Sequence, residues 1–144
     1  GVEGALICGP RIHIDYLINR ARPFIFSTAP SPLMAVAVAA ALDRIEEASD
    51  LRERLKILRQ DAAEAICAPL GLPSPRSQIV PIILGEDSRA MAAAATLQEA
   101  GFDVRGIRPP TVPAGTSRLR ISLTLNIGRA DVAALGRELQ RIVG

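Results

Sequence analysis

The sequence predicts an α/β fold in which an α+β unit, three strands covered by helices on one side, follows a lone strand and helices that belong to a second unit. Three observations carry this. Residues 79–84, 102–107 and 118–124 read as strands from their aliphatic or alternating character. Segments with helical start and stop signals lie between and after them. Residues 33–68 contain neither Gly nor Pro, a helical stretch that would be roughly 55 Å long if unbroken.

Each element has its own justification. Residues 1–8 are small and apolar with one charge, which suits a strand near the centre of a sheet. A lone strand has no sheet of its own, so its partners are expected before residue 1 and the chain reads as the C-terminal part of something larger. Residues 11–20 form a short helix after the Gly9-Pro10 break. Ser31 as N-cap and Pro32 at the first helical position start the next helix. A break is expected at residues 48–50, where Asp50 and Glu53 resemble a capping box. Leu51, Leu55, Leu58, Ala62 and Ile66 then share one helical face. The domain boundary is placed here, giving residues 1–48 and 49–144, and residues 69–75 end the helical region. After the strand at 79–84, Asp87 or Ser88 caps a helix running to Ala100, with Gly101 at the position following the cap. The strands at 102–107 and 118–124 follow, and residues 130–143 form a closing amphipathic helix.

Composition narrows the function classes. The net charge is only +2, with Arg and Glu interspersed, so neither nucleic acid nor an anionic membrane is expected as a partner. Aromatic residues make up 3% and Trp is absent, which leaves no base-stacking platform. Cys8 and Cys67 are far apart without a Cys-x-x-Cys pattern, so buried free thiols are expected rather than a disulfide or a metal site. The apolar run 33–42 is about half the length of a membrane-spanning helix, and a cytoplasmic protein is expected.

Residues 108–124, RPPTVPAGTSRLRISLT, are the most informative stretch. Pro109, Pro110 and Pro113 fix their own φ angles and press their neighbours toward extended geometry, so the connector should be stiff, with Gly115 supplying a turn. From Arg118 onward, Leu119, Ile121 and Leu123 face one way and Arg118, Arg120, Ser122 and Thr124 the other. A guanidinium anchored on such a strand suits bidentate binding of a carboxylate, with Arg108 across the loop as a second arm. Pattern alone favours ordinary surface ion pairs for these arginines.

The stretch resembles the C-terminal signature of the α-oxoamine synthases, enzymes that use pyridoxal phosphate to condense an amino acid with an acyl thioester. The wording Arg-Pro-Pro-Thr-Val-Pro-x-Gly-Thr-x-Arg-Leu-Arg is most similar to members that join L-alanine to pimeloyl-CoA, or to a pimeloyl-carrier protein, in biotin biosynthesis. The resemblance continues along the chain in family order. Residues 1–5 (GVEGA) resemble the segment just after the cofactor lysine, residues 26–32 (FSTAPSP) the Ser/Thr-Thr-x-x-Pro-Pro segment, and residues 77–90 (SQIVPIILGEDSRA) a family strand and turn.

The resemblance implies a fold-type-I pyridoxal-phosphate transferase and a role for particular residues. Arg120 would grip the amino-acid carboxylate, and Arg108 would approach it during the reaction. Thr28, with Ser27, would reach the cofactor phosphate of the neighbouring subunit, making the enzyme a homodimer. No catalytic residue is expected within the chain: the lysine should stand just before Gly1, and the chain alone should be inactive. Two departures from the family wording are Pro30-Ser31 and residues 125–128 (LNIG), where relatives often carry a histidine. His13 and Lys56 read as surface residues. Two alternatives remain open: another α-oxoamine synthase using glycine or serine with a different acyl group, and a non-catalytic module that keeps the fold.

Overall fold

The computed structural model describes residues 2–3 and 5–143 and divides into two compact units between Ser49 and Asp50. In the first unit, residues 5–10 form no strand, contrary to the expectation for residues 1–8; Gly1 and Gly4 lie outside the described residues. A strand needs hydrogen-bonding neighbours, and the sheet of this chain contains only segments of the second unit. Helix α1 (Arg11–Arg20) starts after Pro10, as expected, and is followed by a four-residue helix α2 (Arg22–Ile25) with Pro23 in its first turn. Helix α3 (Pro32–Glu47) begins as the sequence indicates: the Ser31 side chain accepts a hydrogen bond from the Leu33 N–H at 3.3 Å. None of the residues of α1, α2 or α3 is buried, and α3 exposes Leu33, Val36, Leu42 and Ile45.

The break falls where expected. Ala48, at φ −88° and ψ 45°, leaves helical geometry, and helix α4 (Ser49–Ala62) follows. Asp50 lies inside the first turn of α4 instead of preceding it, where a carboxylate still complements the helix dipole. The five residues predicted to share a face grade inward: Leu51 and Leu55 are half-buried, while Leu58, Ala62 and Ile66 are buried. Residues Ala63–Cys67 widen into a π-helical turn, closed by the Ala68 N–H donating to the Ala63 carbonyl at 2.9 Å.

Three strands, β1 (Ile79–Gly85), β2 (Arg105–Ile107) and β3 (Ser117–Ser122), form an antiparallel sheet in the order β1-β3-β2. Val80, Ile82, Leu84, Leu119, Ile121 and Leu123 point to one face, and all are buried against α4, α5 (Asp87–Glu99) and α6 (Arg129–Val143). Leu119 is completely buried, and burying such a side chain contributes roughly 1.5–3 kcal/mol. Helices thus cover one side of the sheet only.

Strand β2 is shorter than the 102–107 expected. The reason is the end of α5. Gly101, at φ +90°, donates to the Gln98 carbonyl at 3.0 Å, and Phe102 N–H donates to the Leu97 carbonyl at 2.9 Å. This glycine-terminated cap holds Phe102 to the helix and withholds it from the sheet. The start of α5 also differs from expectation: Glu86 occupies the cap position without a side-chain bond. Asp87 instead accepts a short hydrogen bond from Ser117 Oγ at 2.5 Å, the bond that satisfies the one buried polar side chain recorded among the described residues. Gly101→Ala should lower stability by about 1–2 kcal/mol, because a Cβ penalises positive φ; urea unfolding checks it, and an unchanged midpoint would exclude this capping geometry.

Candidate functional site

The face of the sheet turned away from the helices carries the candidate residues. In antiparallel pairing, residues directly opposite share a face. Arg120 on the central strand stands between Pro81 of β1 and Arg105 of β2, and Arg118 stands between Ile83 and Ile107. Arg105 and Arg120 are exposed, as are Ile79 and Ile83. This face therefore presents three arginines on an aliphatic floor.

The three are not equivalent. Arg118 is half-buried, and its Nε donates to the Thr116 carbonyl at 2.9 Å, which ties it to the loop. Arg105 pairs with Asp103 at 2.9 Å. Arg120 makes no ion pair or side-chain hydrogen bond with any described residue, and neither does Arg108. Arg120 is anchored from beneath by Leu119 and Ile121, both buried. The surface-pair reading that pattern alone favours does not describe it.

The loop between β2 and β3 is braced as the prolines suggest. The Pro109-Pro110 bond is cis. Thr111 N–H donates to the Arg108 carbonyl at 3.1 Å, and Thr116 uses both its N–H (3.2 Å) and its hydroxyl (2.7 Å) on the Pro113 carbonyl. Gly115, at φ +74°, sits in that second turn as expected. The register nevertheless places Arg105, and not Arg108, directly across from Arg120. Arg108 lies three residues further along the chain, roughly 10 Å away at strand spacing. Sequence reading overlooked Arg105 because nothing local marks it; only the β2-β3 pairing brings it to this face.

Ser27 and Thr28 lie in the first unit, exposed, in the segment before α3. Helix capping there is performed by Ser31, and the Ser27 and Thr28 hydroxyls make no hydrogen bond with any described residue. Cys67 is buried, and burial pushes its thiol pKa up, which disfavours the nucleophilic thiolate. Cys8 is exposed, contrary to expectation, since the segment around it forms no strand. Among the described residues no group of His, Cys, Asp and Glu could hold a metal ion, and no helix is long and apolar enough to cross a membrane.

The family model for aminotransferase class I and II matches residues 1–135. The chain belongs to the aminotransferase class I and II family. Two relatives of the chain are the 8-amino-7-oxononanoate synthases of Maricaulis maris, 46% identical over 99% of the chain and 36% of the relative, and of Ralstonia pickettii, 45% identical over 97% and 35%. Among solved structures, the 8-amino-7-oxononanoate synthase of Francisella tularensis superposes with a TM-score of 0.78 at 26% identity, covering 94% of the chain and 40% of that structure. A Sphingomonas wittichii serine palmitoyltransferase shares the fold at a TM-score of 0.72 and 24% identity, over 92% of the chain and 34% of that structure. These relatives bear out the resemblance read from residues 108–124 and the expected fold class, that of the fold-type-I pyridoxal-phosphate transferases. The chain spans about a third of the length of the curated relatives it matches.

The side chains present fit part of what pyridoxal phosphate requires. Two unengaged hydroxyls ahead of a helix start suit its phosphate. Lys56 is the only lysine of the chain and pairs with Glu53 at 3.2 Å on an exposed face of α4, which does not suit an amine that holds an aldehyde.

Proposed function

We propose that this chain is the C-terminal part of an 8-amino-7-oxononanoate synthase, which condenses L-alanine with a pimeloyl thioester, on CoA or a carrier protein, and releases CO2. The observation that carries the reading is Arg120: an unpaired guanidinium on the central strand of a sheet whose underside is locked in the core. Similarity to synthases of that name at 45–46% identity supports the choice of reaction.

In this reading Arg120 receives the alanine carboxylate through its planar fork, which fixes both oxygens at once. Holding the carboxylate in one orientation sets its C–C bond for cleavage and converts a free rotor into a positioned group. Arg118 secures the loop end, and Arg108, which has no ion-pair partner among the described residues, approaches the carboxylate during the reaction. Ser27 and Thr28 donate to the cofactor phosphate, in a homodimer to that of the neighbouring subunit. When bound, pyridoxal phosphate supplies an electron sink for the charge left on the substrate Cα. The amine that holds it comes from a lysine outside these 144 residues, so the chain alone is inactive. Residues 1–48 belong on this reading to the large cofactor-binding domain and residues 49–144 to the small one, and the setting is cytoplasmic.

Thiol release from pimeloyl-CoA, measured with a panel of amino acids on the complete enzyme, tests the assignment. Alanine should exceed glycine by roughly tenfold or more, the discrimination one methyl group gives in a fitted pocket. Equal or better turnover with glycine or serine would remove the alanine-specific assignment.

A further inference from the structure

A concave feature lies elsewhere on the second unit. A groove of about 320 Å³ runs between α4 and the segment leading into β1, with Arg52, Lys56, Arg59, Arg76, Ser77 and Gln78 on its walls. No carboxylate lines it. Arg59 is half-buried, and its Nη1 donates to the Arg76 carbonyl at 3.1 Å, which fixes that guanidinium against the wall. The Arg76 guanidinium has no hydrogen bond or ion pair with any described residue. Lys56 has only its exposed contact with Glu53. Gln78 fixes the groove's position: its carbonyl accepts from Leu123 N–H at 2.8 Å, beyond the Ser122 end of β3.

Four cations, Arg52, Lys56, Arg59 and Arg76, therefore line a hollow that has no acid on its own walls, while Glu53 pairs with Lys56 from outside the lining. An anion seated in the hollow relieves their mutual repulsion, and a concave wall concentrates their field. The fork geometry of Arg59 and Arg76 matches phosphate oxygens, while Lys56 adds a point charge. The hollow is too long for a single tetrahedral anion: Arg52 and Arg59, both on its lining, are seven residues apart on α4, about 10 Å at 1.5 Å per residue, with Arg76 on the opposite wall. We infer that this groove binds a chain of linked phosphates, separately from the carboxylate site at Arg120 and independently of the reaction proposed there.

Calorimetric titration of the full chain with tripolyphosphate, ADP and adenosine tests it. Tripolyphosphate should bind, more weakly as salt is raised. Lys56→Gln combined with Arg76→Gln should lower that affinity by about tenfold or more, the loss of charge-assisted contacts. The carbonyl that orients Arg59 belongs to the backbone and survives both changes. If the double variant fails to fold, Arg76→Gln alone decides, with a loss of at least about threefold expected. Binding of ADP but not adenosine would identify a nucleotide's phosphates as the ligand, and binding of tripolyphosphate without ADP a free chain; both support the groove. No binding of tripolyphosphate, or an affinity unchanged in the folded variant, would overturn it.

Discussion

Arg120→Ala should weaken alanine binding to the complete enzyme by about a hundredfold while leaving its affinity for pyridoxal phosphate and its unfolding midpoint nearly unchanged. The size follows from losing two hydrogen bonds to a charged group, roughly 3 kcal/mol together. Stability should move by less than about 0.5 kcal/mol, because Arg120 is exposed and has no partner among the described residues. Arg120→Lys should recover only part of the affinity, since an ammonium supplies charge without the planar fork. Titrating alanine against the absorbance of the bound cofactor reads the dissociation constant directly. If that constant is the same in wild type and Arg120→Ala, the guanidinium does not hold the carboxylate.

Gly136→Ala should destabilise the second unit, Asp50–Gly144, by roughly 2 kcal/mol. A Cβ at Gly136 would lie 2.2 Å from the Ala65 carbonyl oxygen and 3.0 Å from its carbon, so α6 and the π-helical turn cannot keep their approach. The obstacle is backbone on the opposing element, which cannot swing aside as a side chain can. Overpacking of this kind costs about 1–3 kcal/mol or more, while alanine's better helix propensity returns about 1 kcal/mol. Gly106→Ala provides the comparison. Its Cβ would meet the flexible Met91 sulfur at 2.9 Å and the Ala90 carbonyl at 3.2 Å, and its loss should be smaller. Denaturant unfolding of both variants ranks them, and a Gly136→Ala midpoint at or above wild type would mean that α6 packs differently.

Several elements were legible because their causes are local. Ser31 and Pro32 start α3 through a side chain and a fixed φ on adjacent residues. Gly101 ends α5 because only glycine accepts φ +90° without penalty. The alternation through Leu119, Ile121 and Leu123 forecast the buried face of β3 correctly. Other features were not legible. The apolar character of residues 1–8 matched a central strand, yet among the described residues none pairs with residues 5–8 in a sheet. Asp87 was expected to cap its own helix, but Ser117, thirty residues away, claims its carboxylate. The π-helical turn left no mark in the wording of Ala63–Cys67, AEAIC.

The sequence alone determined the order of the elements, the stiff proline loop and the polar face that carries Arg120, because side-chain periodicity and backbone restriction act over a few residues. Tertiary structure decided which arginines share that face. Antiparallel register set Arg105 opposite Arg120 and left Arg108 beyond the end of β2, and a chain contact to Thr116 committed Arg118 while leaving Arg120 unpaired. Pairing between strands is a long-range choice made by the buried faces that must meet in one core, so it cannot be read from any single stretch.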